Sequence, residues 1–466
     1  MKTQKVKVMV SLRRVVLASS AWSILALSVA SCSDDERPRS QPTDVDADVD
    51  AGPTIPPSDT GVSDSPVDAS DEVPDEPVVC DTEPCPVDIV AGRNHFCVLM
   101  SDKTLRCWGD DGVGQLGAGK ALADDDGQSP VRTVQGVANA MQISASGTTS
   151  CALLSSGGVS CWGGNDQAQL GLSVEPPAAD GDRHPTPSPV ALPETGASRV
   201  DVGVQSACAI LVDGEVFCWG ANDQAQLGRP ASEPLGGPAN VKSLTGKIAR
   251  TAAGTHTAFA VDGVGRIQSW GATADYAGII AGRESSLTPD PVPAVLAVEG
   301  VTSLAASAWH YEYVDGVDRS LAHACVTARG NAYCWGDSMY GAMGFGAPFV
   351  FVRPTLVPVR SKARAQQVAV SLENTCLRMS DGSIQCAGDD ARRQLGRGAD
   401  GGLFSDVFTP ATELKEHALR LALSDSTTCV IVRGGKVMCW GGNAHGELAQ
   451  GSPDDGAHPT PAAVTF

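Results

Sequence analysis

Six pairs of cysteines recur along this chain: Cys97 and Cys107, Cys151 and Cys161, Cys208 and Cys218, Cys325 and Cys334, Cys376 and Cys386, and Cys429 and Cys439. Paired thiols can ligate a metal, carry redox chemistry or close a disulfide, and their spacing chooses among these. No Cys-x-x-Cys pair occurs and no histidine stands at ligand spacing near the thiols, which disfavours zinc. Each pair instead flanks a turn. In the third, the runs CAIL and EVFCWG, rich in β-branched and aromatic residues, enclose Asp213-Gly214 and read as a β-hairpin. Five pairs are ten positions apart, so a three-residue loop about the central residue sets both cysteines directly opposite one another. Opposed residues of antiparallel strands have Cα atoms about 4.5 to 5.5 Å apart, within reach of a disulfide. The position after the centre should be left-handed; it is glycine at Gly157, Gly214, Gly382 and Gly435, with Lys103 the exception. The pair spaced by nine fits a two-residue loop at Arg329-Gly330. We therefore expect six disulfides inside hairpins, structural in role, with no metal bound at the thiols.

An enzyme would need a nucleophile with a base, a carboxylate pair or a metal cluster in one place. His95 and His323 occupy the Gly-x-x-His place of the repeat or its equivalent, His256 lies one position off it, and His184, His310, His417, His445 and His458 are scattered. The chain has no Gly-x-Ser-x-Gly, His-Glu-x-x-His or phosphate loop. Asp44, Asp46, Asp48 and Asp50 hint at a calcium loop, but one starting at Asp46 needs glycine sixth and glutamate twelfth, where Ala51 and Pro57 stand. No catalytic residue, cofactor or metal site is assigned, and the chain is read as not an enzyme.

The hairpins belong to a longer repeat. A seventh copy, Gly254 to Gly278, keeps Trp270-Gly271 but has Phe259 and Ser269 at the cysteine positions, so both partners are lost together. Second arms are marked by Trp108, Trp162, Trp219, Trp270, Trp335 and Trp440, with Ala387 in the sixth copy. Intervals between these markers are 54, 57, 51, 65, 52 and 53 residues, the range of four-stranded propeller blades. Nine residues after the marker come Gly117, Gly171, Gly228, Gly344 and Gly396, read as packing and turn residues. The pattern Gly-x-x-His-x-Cys, hairpin, Cys-Trp-Gly-x-Asn, Gln-Leu-Gly resembles the regulator of chromosome condensation repeat family, in the disulfide-bearing form of exported bacterial proteins, over about residues 86 to 466. That resemblance implies an all-β, seven-bladed β-propeller. Pro-rich strand signals such as SPVRTV and RPTLVPV lie between hairpins; the first copy lacks one ahead of it and the last is followed by HPTPAAVTF. The strand Ala462 to Phe466 is therefore expected to complete the first blade and close the ring.

Ahead of the repeats stand a basic start, the apolar run VVLASSAWSILALSVA, and Val29-Ala30-Ser31-Cys32, which resembles a bacterial lipobox. Residues 1–32 are read as a lipoprotein signal with Cys32 the lipidated residue, an ordinary signal-peptidase site being the alternative. Residues 33–79 hold fourteen acidic and two basic residues and read as a disordered acidic linker. Residues 80–466 are the propeller, stapled at its entry by Cys80 and Cys85. From Cys80 onward 27 basic residues meet 40 acidic ones, a net charge of −13 that argues against nucleic-acid binding. The expected location is the cell envelope, at the outer membrane or cell surface, with the membrane touched only by the lipid and the protein monomeric.

Two departures from the repeat concentrate aromatic residues in a chain that is 5% aromatic. One is an insertion, WHYEYVDGVDRS from Trp309 to Ser320; the other is the loop Phe345 to Phe351. Trp309, Tyr311, Tyr313, Phe345, Phe349 and Phe351 are candidate binding anchors, or packing residues that cap the blade. The resemblance offers divergent partners: nuclear members act on a small GTPase and chromatin, and an exported bacterial relative inhibits β-lactamases through its propeller face. The expected function is non-catalytic binding of a protein or other envelope component through the loop face. The alternatives are a polysaccharide or peptidoglycan-binding module and a hydrolase or lyase with a loop-built site.

Overall fold

The computed structural model describes residues 75–466 apart from residues 120–129, 173–178, 274–280, 309, 315–316, 339, 349, 358 and 360–361. Among these residues there is no helix; the strands fall into seven antiparallel sheets, the blades of a propeller. The first shows the plan. Its inner strand, Pro86–Ala91, pairs with His95–Met100, which forms a hairpin with Leu105–Gly109, and the outer strand is Arg132–Thr133. Six blades have four strands and the fifth has an added one.

The cysteines face each other as the hairpin geometry requires. Cys208 lies opposite Cys218 and Cys325 opposite Cys334, and the six hairpin disulfides have Cα separations of 4.1 to 4.2 Å. Cys80 and Cys85 form a seventh. The residue after the loop centre is left-handed throughout, and Lys103 adopts φ of 65° without glycine's freedom.

Neighbouring blades are locked by the marker tryptophans, all fully buried. Trp162 donates its indole N–H to the carbonyl of Gln115 in the preceding blade at 2.9 Å, Trp219 to Gln169 at 2.8 Å, Trp270 to Gln226 at 2.9 Å and Trp440 to Gln394 at 3.0 Å. Gly117, Gly171 and Gly396, two residues after such carbonyls, give the indole room: a Cβ at Gly171 would lie 2.8 Å from Trp219 Nε1, in a backbone already at φ of 61°. Sequence periodicity is thus inter-blade packing written out.

Where the repeat loses its cysteine pair or its marker tryptophan, another side chain fills the space. Phe259, opposite Ser269, meets Trp335 of the next blade edge-on with centroids 5.6 Å apart. Ala387 leaves room for Phe408, which reaches in from the outer strand Phe404–Pro410 and packs with Met343 and Ala387.

The C-terminal strand does not complete the first blade. Asp454–Ala463 is the outer strand of the seventh, pairing Met438 with Ala463 and Cys439 with Ala462. Each Pro-rich segment trails the hairpin it pairs with, so SPVRTV belongs to the first blade and none is orphaned. Closure is made by side chains instead. Trp108 donates to the carbonyl of Glu447 at 2.7 Å, the same bond that Trp162, Trp219, Trp270 and Trp440 make between blades. Phe466 lies edge-on to Trp108 with centroids 5.8 Å apart, and Val464 joins a core shared by the first and last blades. Deleting Val464 to Phe466 is therefore expected to lower stability by about 2 to 4 kcal/mol in denaturant melts, without the aggregation a bared strand edge brings. A truncated protein that melted like the full chain would dismiss the closing role.

Candidate binding site

Every inner strand carries a register shift at the same step, one residue after its start. The residue beyond the shift is polar in all seven blades: Asp88, Gln142, Arg199, Arg250, Ser303, Gln367 and Arg420. All but Gln142 line the central channel, a cavity of about 850 Å³. Part of this ring is scaffold. Gln142 and Gln367 each bracket one residue of the next inner strand, accepting from its N–H and donating to its carbonyl: Val200 at 3.0 and 2.7 Å, Leu421 at 3.1 and 2.9 Å. Ser303 accepts the N–H of Val368 at 3.2 Å.

The rest of the ring is charged. Arg199 pairs with Asp201 at 2.8 Å, and that carboxylate holds the guanidinium well charged. Asp201 also accepts the N–H and hydroxyl of Thr251 at 2.9 and 2.8 Å. Arg250 is pulled the other way, first by burial and then by Arg199, and its Nε has no hydrogen-bond partner among the described residues. Burial pushes the Asp88 carboxyl up, against the pull of its own Ile89 N–H, Arg420 and Arg199.

The two ends of the channel differ. Inner strands begin, and hairpins turn, on what we call the turn face; connections from inner strand to hairpin, and from hairpin to outer strand, lie on the loop face. Residues 75–79, read from sequence as linker, lie on the propeller's turn face. Asp75 pairs with Arg378 at 2.6 Å and Arg420 at 3.4 Å, and Glu76 with Arg433 at 2.6 Å and His417 at 3.7 Å. Cys80 bridges Gly434 of the seventh hairpin, which straps the entry segment to the last blade. Composition shows an excess of acid and conceals this basic mouth, because its arginines are spread along the sixth and seventh blades and meet only in the fold.

Both aromatic departures fall on the loop face of the fifth blade. The insertion forms an added strand, His310–Val314, paired with the start of Val317–Ala328, and carries Tyr311 opposite Ser320 and Tyr313 opposite Asp318. The Phe345 to Phe351 loop joins the hairpin to the outer strand Val350–Leu356 of that blade. Phe345 is half-buried against the core that holds Met343 and Phe408, so packing accounts for it. Phe351 lies in the outer strand opposite Asp337. Trp309, Phe349 and Cys32 lie outside the described residues, as do the signal and most of the linker.

The histidines are struts. His95 and His323 are buried, and their Nε2 atoms meet Ser150 Oγ at 2.9 Å and Thr375 Oγ1 at 3.0 Å in the next blade. Two histidines that look scattered in sequence are equivalent in the fold. His184 meets Asp180 at 2.8 Å and His458 meets Asp454 at 3.0 Å, and Asn165 and Asn443 donate to the same carboxylates. Those hydrogen bonds bring Asp454 down to about 2. Recurrence in two outer strands marks a turn device, not an acid–base pair.

The regulator of chromosome condensation repeat matches residues 87–115, 198–226, 213–261 and 420–447. The chain is 28% identical over 345 residues to the ultraviolet-B receptor UVR8 of Arabidopsis thaliana, covering 72% of this chain and 72% of that one. It is 26% identical over 308 residues to the E3 ubiquitin-protein ligase HERC2 of Homo sapiens, spanning 64% of this chain but 6% of that protein. Among solved structures, yeast RCC1 (Prp20), determined with Kap60 bound to it, aligns with a TM-score of 0.64 at 16% identity over 86% of this chain and 90% of that chain. Human WBSCR16 aligns with a TM-score of 0.62 at 18% identity over 80% of this chain and 95% of that chain. These structural likenesses establish the fold, a seven-bladed propeller.

Proposed function

We propose that this chain is an exported, lipid-anchored and non-catalytic propeller that binds a protein of the cell envelope through its loop face. The observation that carries the reading is the added strand His310–Val314 on the fifth blade. Six blades close and pack with four strands, so the fifth strand answers no need of the ring. It sits on the loop face, opposite the face where the chain enters through Asp75 and the Cys80–Cys85 staple. A lipid at Cys32 would turn the entry face toward the membrane and leave the loop face outward. Seven disulfides fit maturation in an oxidising compartment, and no helix among the described residues is long and apolar enough to cross a membrane. The structurally related yeast RCC1 (Prp20) has Kap60 bound to it, which supports a protein partner for this chain.

The test is affinity capture from envelope extract with the full chain as bait, repeated with residues 309–320 replaced by two glycines. Loss of an aromatic anchor costs an interface about 2 kcal/mol or more, roughly thirtyfold in affinity, so the shortened bait should lose its partner while its melting temperature stays within a few degrees. Retention of the same partner by the shortened bait rules out the insertion as the docking element. Binding of envelope glycan in place of protein would favour the polysaccharide reading.

A further inference from the structure

The turn-face mouth of the channel is a second place where charge is collected and directed. Arg378 and Arg420 rise from the sixth and seventh blades, and Arg433 and His417 from the last hairpin and the connection before it. Arg378 is 3% exposed, anchored by the side-chain carbonyls of Gln366 and Gln367 at 2.8 and 3.2 Å, and still aims one nitrogen outward. A buried cation held in this way is a built feature, since burying an uncompensated charge is costly.

What fills the mouth is peptide. Asp75 spans Arg378 and Arg420, and Glu76 takes Arg433 in a two-point contact at 2.9 and 2.6 Å. Arg420 also donates to the Glu76 carbonyl at 3.2 Å, and Val78 packs on the core shared by the first and last blades. The site therefore reads two adjacent carboxylates, a main-chain carbonyl and an apolar residue two places on. A phosphate or sulfated sugar offers no such combination.

The occupant is nevertheless loosely held. Asp75 and Glu76 are 53% and 44% exposed in their side chains, and solvent screens ion pairs so exposed until each contributes little. The contact persists because the segment is tethered at Cys80, which gives it an effective concentration on the order of millimolar.

We propose that the basic mouth formed by Arg378, His417, Arg420 and Arg433 is a binding site for an acidic peptide of the pattern Asp-Glu-x-Val, held shut in cis by Asp75 and Glu76 and open to an acidic segment of a second polypeptide when they leave. This site is separate from the loop face and stands or falls without it.

The probe is a fluorescein-labelled peptide of sequence SDEVPDEPVV, residues 70–79, titrated by anisotropy against the full chain. Asp75→Asn with Glu76→Gln frees the mouth and should tighten peptide binding by about tenfold or more over wild type, the advantage that tethering now gives the resident segment. Adding Arg420→Gln and Arg433→Gln, both at solvent-accessible positions, should abolish that gain, and the gain should shrink as salt rises. A peptide with Asn and Gln in place of the carboxylates should not bind. The proposal is overturned if the freed mouth binds the peptide no better than wild type, if the gain survives without the two arginines, or if the neutral peptide binds equally well.

Discussion

Unfolded in denaturant with reductant and returned to native buffer without an oxidant, the propeller is expected not to regain a cooperative melt. Each hairpin disulfide closes a loop of nine or ten residues, which is worth about 2 to 3 kcal/mol in the chain-entropy account. Six of them together rival the roughly 5 to 15 kcal/mol by which a domain is ordinarily stable. The hairpin cysteines are buried, nearly all at 0% exposure, so added reductant should act only as fast as the blades open. The native protein should therefore resist dithiothreitol at ambient temperature and lose structure once heated in its presence. Thermal melts with and without reductant, and mass mapping of Cys208 to Cys218 and its counterparts, check both parts. A reduced chain that refolded to the same melting temperature would show that tryptophan packing alone holds the ring.

The hairpins were legible because their signals are local. Cysteine spacing, turn glycine and strand composition lie within a dozen residues of one another, and the pairing of Cys429 with Cys439 follows from them directly. Assigning the Pro-rich segments to blades was not local. Such a segment lies between two hairpins in sequence and can pair with either, and the chain alone does not say that Arg132–Thr133 joins the hairpin behind it. That ambiguity produced the expectation of a closing C-terminal strand, which the pairing of Ala462 with Cys439 corrects. Phe408 was missed for a similar reason. Only packing reveals that it occupies the room left by Ala387.

The site was less legible than the fold. Aromatic concentration pointed to the fifth blade, where both departures do share a face, yet it also drew in Phe345, which packs half-buried against the core. The basic mouth left no sequence signal at all. Arg378, Arg420 and Arg433 stand apart in the chain, and their meeting with Asp75 and Glu76 depends on contacts more than 300 residues apart. Net charge averages such a patch away, which is why an acidic protein can hold an acid-binding mouth.

Acid should loosen the ring through His95 and His323. Burial holds both at about 4, whereas an exposed histidine titrates near 6.5. Between those values the unfolded chain takes up protons that the folded chain refuses, so stability is fully present above about pH 6.5 and falls as pH drops toward 4. At pH 5 the loss is about 2 kcal/mol for each histidine. Asp88, Asp111, Asp390 and Glu447 work in the opposite sense. Burial raises each carboxyl, so protonation favours the folded form, and their contribution is lost as pH rises through the raised values. The wild-type profile therefore mixes both slopes, and variants separate them. His95→Gln and His323→Gln place an amide where Nε2 now meets Ser150 and Thr375, keeping the inter-blade bond while removing the titration. Denaturant melts at pH 7.5 and pH 5 should show the double variant losing about 4 kcal/mol less than wild type on acidification, because the carboxylates are common to both proteins and cancel. Equal acid sensitivity in the two would mean that the imidazoles are reached by solvent and titrate freely, which their burial between blades forbids.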